Sequence, residues 1–146
     1  MESLAALIKF LQACITPVAM ISGVGLLLLT ITNRLGRVFD RIRSLVAELD
    51  KTEIKRREEK TKEITVFYKR ARFLRNSVAW IMIGMISSCL IIPLLFIMSL
   101  TGIDLKILGY TFFIVSAFSM LVAFVYFFKD VLLSLNAIKL EASDYL

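Results

Sequence analysis

The sequence predicts an all-α integral membrane protein with three transmembrane helices, and three observations predict it. The stretches at about 10–32, 78–101 and 107–128 contain no Asp, Glu, Lys or Arg. Each reaches the roughly 20 residues needed to cross a bilayer. The 146-residue chain is 58% hydrophobic with mean hydropathy +0.79, against about 45–50% apolar residues in soluble domains. Its charge is concentrated in one run, residues 33–77, with 14 Lys/Arg and 7 Asp/Glu. That run leaves no room for a separate globular domain of ordinary size, so residues 1–146 read as a single membrane domain.

The first span reads as a retained helix. It is too long for an ordinary signal-peptide core, and Lys9, balanced by Glu2, is the only positive charge before it. No small-residue cleavage pattern precedes Asn33-Arg34. At about 100° per residue, Gln12, Thr16, Ala19, Gly23, Thr30, Arg34, Arg37 and Arg41 fall within roughly 80° of arc. The stripe is polar and small inside the span and cationic just beyond it. Leu35, Val38, Ile42, Leu45 and Leu49 then recur at spacings of three and four, which is an apolar helical seam. No stop signal separates this seam from the span, so one helix is expected from about 5 to 49, with a kink at Pro17.

Asp50-Lys51-Thr52-Glu53 reads as a tight turn with a capping-box-like pattern. A second helix returns, with Ile64, Phe67, Ala71, Leu74 and Val78 again at three–four spacing. The two seams can close an antiparallel helical hairpin over about 33–77. Its tip, Arg56 to Glu63, is a solvated charge run with i,i+4 pairing. The basic run marks the cytoplasmic side. The N-terminus and the 102–106 turn are then expected outside and the C-terminus inside. Trp80 and Tyr126 fall near the inner interface and Tyr110 near the outer one. The net charge of +6 is thus a topology signal, and nucleic acid is not an expected partner. Lys69, Arg70, Arg72 and Arg75 precede the second span. They suit anionic lipid headgroups, and equally suit orientation alone.

In the second span Ala79, Gly84, Ser87 and Ser88 are small residues fit for close helix contact, and Pro93 is expected to bend the helix. The third span carries Phe112, Phe113, Phe118, Phe124, Phe127 and Phe128, which suit a lipid-facing helix or aromatic packing. Cys14 and Cys89 lie inside spans and read as packing residues. Histidine is absent. No nucleophile–base pair, phosphate loop or metal-ligand spacing is present, so no enzyme, cofactor or metal is expected. No span carries Asp, Glu, Lys or Arg, which argues against proton coupling. Asp130, Glu141 and Asp144 lie past the third span and read as ordinary solvated charges.

The expected function is a homo-oligomeric, channel-like membrane protein, with one alternative from a different class. In a closed ring of copies, helix one could line a pore with Gln12, Thr16, Ala19, Gly23, Leu27 and Thr30, and Arg34, Arg37 and Arg41 could form cationic rings favouring small anions. Alternatively the protein is a non-conducting scaffold or accessory subunit whose hairpin docks a partner. Ser22, Gly23 and Gly25 are also ordinary helix-packing residues, and arginines just inside a first span are the usual anchor. Membrane lipids and further copies of the chain are the expected partners.

The run from Pro17 to Leu29, followed by Thr32-Asn33-Arg34-Leu35-Gly36-Arg37-Val38-Phe39-Asp40-Arg41-Ile42-Arg43, resembles the signature of a bacterial family. That family is domain-of-unknown-function family 2721, of small three-span membrane proteins. The basic return Lys69-Arg70-Ala71-Arg72-Phe73-Leu74-Arg75 fits it as well. The resemblance implies a bacterial inner-membrane protein and no activity. It draws attention to Asn33, Asp40 and Arg43 beside the stripe. Asp40 can pair with an arginine of its own helix, or with one of a neighbouring copy in a structural belt.

Overall fold

The computed structural model describes residues 2–49 and 54–143, with side chains described at all but 2–3, 5–7, 16, 54–55, 59 and 136–143. Three helices make up the described chain: α1 (Glu2–Leu49), α2 (Ile54–Thr101) and α3 (Lys106–Ser143). Each is long and apolar enough to cross a membrane. Pro17 and Pro93 both lie inside helices. The turn expected at Asp50–Glu53 lies outside the described residues.

Buried positions repeat every seven residues. On α1 they are Pro17, Val24, Ile31, Val38 and Leu45. On α2, Leu74, Ile81 and Ser88 keep the same period, with Ser77 and Gly84 on a neighbouring line. On α3, Ser116, Ala123 and Asp130 do so. A seven-residue repeat keeps one narrow face of a helix on its neighbours. The seam expected on α1 therefore appears with Val38 and Leu45 buried and Leu35, Ile42 and Leu49 half-buried. On α2, Ala71 and Leu74 are buried, while Ile64, Phe67 and Val78 are half-buried.

Contacts divide the chain into two units, Met1–Leu28 with Ala79–Val122, and Leu29–Val78 with Ala123–Leu146. In the first unit the α2–α3 contact is built from small residues. Gly84 lets the two backbones come close: a Cβ there would lie 3.3 Å from the Ser116 carbonyl oxygen and 3.4 Å from the Ser119 Cβ. Ser116 Oγ donates to the Gly84 carbonyl at 2.9 Å. Gly84, Ser87 and Ser88 are buried as expected, whereas Ala79 is exposed because it falls between the buried lines of α2. Phe10 and Phe96 add a ring contact at 6.1 Å.

The α2–α3 connection in this unit is short and tightly bonded. Gly102, at φ 69°, ends α2 by donating to the Met98 carbonyl, a left-handed conformation that glycine adopts without a Cβ clash. Asp104 accepts from the Lys106 backbone N–H at 3.2 Å and pairs with its ammonium at 2.9 Å. The hydrogen bond from Lys106 holds the Asp104 carboxyl below its ordinary value.

In the second unit the core is aliphatic: Ile31, Val38, Leu45, Ala71, Leu74 and Ala123 are buried. Arg41–Glu63 at 3.1 Å and Lys60–Glu48 at 2.8 Å link α1 to α2 at its surface. Helix α3 contributes here too, through Ser77 Oγ donating to the Ala123 carbonyl at 2.9 Å and the Phe73–Tyr126 ring contact at 6.5 Å. The sequence predicts that two helices alone build the charged segment 33–77. In the structure α3 continues to Ser143, and its 123–143 portion belongs to the same unit.

Candidate functional site: a buried carboxylate between two arginines

The feature of the second unit that ordinary packing does not explain is Asp130, whose side chain is 0% exposed. Asp130 was expected to be solvated, and its burial corrects that reading. It lies seven residues beyond Ala123, on the buried line of α3, so the helix phase carries it inward rather than to the surface.

One guanidinium from each of the other two helices meets the carboxylate. Arg70 Nε of α2 donates to Oδ1 at 3.1 Å. Arg34 Nε of α1 lies 2.9 Å from Oδ2. The Arg34 contact is a close ion pair whose angle is not that of a directed hydrogen bond, so Oδ2 has electrostatic compensation without a formal donor. A buried charge survives only when paired, and here two cations flank one anion. Both guanidiniums are braced by aromatic rings. Arg34 lies 5.7 Å from the Phe127 ring centroid and Arg70 5.4 Å from that of Phe67, within the range of cation–π attraction.

Beside this cluster is an open cleft of about 280 Å³ lined by Arg34, Arg37, Val38, Phe67 and Arg70. Arg37 is exposed and forms no ion pair among the described residues. Arg34 and Arg70 use Nε on Asp130, and no hydrogen bond from their terminal nitrogens is present among the described residues.

The other residues singled out in the sequence are placed as follows. Gln12, Ala19, Gly23 and Thr30 are exposed, Leu27 is half-buried, and the side chain of Thr16 lies outside the described residues. The three stripe arginines separate: Arg34 faces Asp130, Arg41 pairs with Glu63, and Arg37 stays exposed. Asn33, Asp40 and Arg43 are exposed, and among the described residues Asp40 forms no ion pair. Of the four basic residues before the second span, Lys69, Arg72 and Arg75 are exposed, whereas Arg70 turns to Asp130. No group of three or more potential metal-ligating side chains occurs among the described residues.

Sequence reasoning missed Asp130 because it stopped at the last apolar residue of the third span. A signal was present: Gly109, Ser116, Ala123 and Asp130 are spaced by seven, so the carboxylate continues a line of small residues. Comparison with curated proteins and with solved structures gave no match. The family described as "Protein of unknown function (DUF2721)" matches residues 14–140. That match covers most of α1, all of α2, nearly all of α3 and all three members of the Arg34–Asp130–Arg70 cluster, and the chain therefore belongs to this family.

Proposed function

We propose that the protein is a non-conducting scaffold or accessory subunit of the bacterial inner membrane, with its N-terminus outside and a charged helical hairpin on the cytoplasmic side that docks a partner. The observation that carries this reading is the Arg34–Asp130–Arg70 cluster. It ties one residue of each helix to the others at the end of the apolar spans, a role in holding helices rather than in passing ions. Two of the three stripe arginines, Arg34 and Arg41, spend their charge on acidic residues of their own chain. That leaves Arg37 alone where stacked cationic rings would be needed. The Arg41–Glu63 and Glu48–Lys60 pairs, later residues of α1 meeting earlier ones of α2, support the hairpin. The basic run supports its cytoplasmic side.

A second reading, a homo-oligomeric channel lined by α1, is favoured by one observation. Gln12, Ala19 and Gly23 are exposed rather than packed against α2 or α3, leaving a small and polar face available to other copies. Ion flux separates the two. Full-length protein and an Arg37→Glu variant are reconstituted in liposomes under chloride and potassium gradients, with the protein's assembly checked after reconstitution. The scaffold reading expects no flux from either. Chloride flux that falls or changes preference in the variant would replace it with the channel.

A further inference from the structure

We infer that the cleft lined by Arg34, Arg37, Val38, Phe67 and Arg70 binds a phosphate group, carried by an anionic lipid headgroup or by a soluble phosphate. The inference stands whether or not the protein conducts. Three guanidiniums and one carboxylate meet around this cleft, so the group carries two uncompensated positive charges. The carboxylate cannot serve a further cation well, because both of its oxygens already face arginines.

The arginines are also presented in the way phosphate recognition needs. A guanidinium has five N–H donors, and bidentate use of its terminal nitrogens is its preferred mode toward phosphate. The contacts of Arg34 and Arg70 with Asp130 run through Nε. Their terminal nitrogens are left available while the carboxylate and the rings of Phe127 and Phe67 fix the planes. Such fixed donors lose less side-chain entropy on binding than free surface arginines do. Burial agrees: the Arg34 and Arg70 side chains are 27% and 12% exposed, so each is mostly enclosed yet open to the cleft. Arg37, exposed and without an acidic partner among the described residues, supplies the third cation. The site follows directly on the apolar stretch 10–32, the depth at which lipid phosphates lie against a spanning helix.

The experiment uses the full chain in a neutral detergent, with phosphatidylglycerol as the probe and bound lipid counted by native mass spectrometry. Arg37→Ala is the principal variant, because its side chain is exposed and outside the Asp130 contacts; size-exclusion and circular dichroism profiles should match wild type. Lys129→Ala removes an exposed cation next to Asp130 that does not line the cleft. Arg37→Ala is expected to weaken phosphatidylglycerol binding about tenfold, and Lys129→Ala less than about twofold. Arg37→Lys should retain part of the binding, since it keeps the charge and loses the fork. Displacement of the lipid by inorganic phosphate would show that the site takes free phosphate as well. Lipid binding that depends on Arg37 and resists inorganic phosphate would assign the site to headgroups. Equal affinity for wild type and Arg37→Ala, or an equal loss in Lys129→Ala, would overturn the inference.

Discussion

The two units hold the same three helices together with different chemistry. In the unit of 1–28 and 79–122, α2 and α3 meet through Gly84, Ser116 and Ser119, with a hydroxyl–carbonyl bond across the contact. In the unit of 29–78 and 123–146 a hydroxyl–carbonyl bond recurs from Ser77 to Ala123, but the contacts are chiefly Ile31, Val38, Leu45 and Leu74, joined by ion pairs and the buried Asp130. The difference matches the composition of the stretches, charge-free over 10–32, 78–101 and 107–128 and charged over 33–77. Within hydrocarbon, burying a leucine against protein gains little over leaving it in lipid, so close backbone approach and polar bonds do the fastening. Where water reaches, aliphatic burial stabilises by roughly 1.5–3 kcal/mol per side chain. Charged partners are also usable there because their unpaired alternatives are hydrated.

The comparison is broken most directly at Asp130. Replacing it with alanine leaves Arg34 and Arg70 facing each other without a carboxylate. A loss of about 3–5 kcal/mol is expected from breaking such a buried cluster, read by SDS titration of the protein in mixed micelles. Arg34→Gln combined with Asp130→Asn should cost less than the sum of the single changes; additive costs would mean the two side chains do not share the interaction. Next is Leu45→Ala in the aliphatic core, with an expected cost of about 2–4 kcal/mol in the same titration. A value near zero would show that this portion does not rely on apolar burial.

The small-residue contact is sharpened by two serines that look alike in sequence. Ser116 donates to Gly84, while the buried Ser88 hydroxyl has no hydrogen-bond partner among the described residues. Ser116→Ala is expected to cost about 1 kcal/mol, and Ser88→Ala to be neutral or slightly stabilising. The reverse order would contradict the assigned bonding. The smallest effect is expected at the exposed Glu48–Lys60 pair. The hydrogen bond from Lys60, reinforced by its charge, lowers the Glu48 carboxyl from 4.5. A lowered folded-state value means the pair's contribution is complete above that ordinary value and is lost as pH falls through the lowered one. Spin labels at the exposed positions Ala47 and Lys62 should show a broadened distance distribution on acidification. Lys60→Ala should show that breadth at every pH.

Much of the fold is legible in the residues. Three charge-free stretches announce three helices, and the three–four spacing of Leu35 to Leu49 and of Ile64 to Val78 announces their packed faces in the charged stretch. The site was harder to read. Arg34 stands in one helical stripe with Arg37 and Arg41, and helical phase alone cannot tell which of three similar cations will meet a carboxylate 96 positions away. The charge-free stretch also hides Asp130, since it ends at Phe128, whereas the seven-residue spacing from Gly109 passes through Asp130. Ala79 shows the complementary limit: small size qualified it for helix contact, but its position off the buried lines of α2 leaves it exposed.

The order of the cluster along the chain sets an order of assembly. Arg34 and Arg70 are synthesised first, and their shared counter-charge arrives only with Asp130 in the last helix. Synthesis runs from the N-terminus, so a nascent chain that has inserted α1 and α2 holds two arginines whose mutual repulsion resists close packing. Arrival of the third helix turns that repulsion into a bridge. Asp130 thus couples the fit of the first two helices to the presence of the third: a chain cut short before it should keep its aliphatic seam and the Arg41–Glu63 and Lys60–Glu48 pairs, yet pack less closely around Arg34 and Arg70.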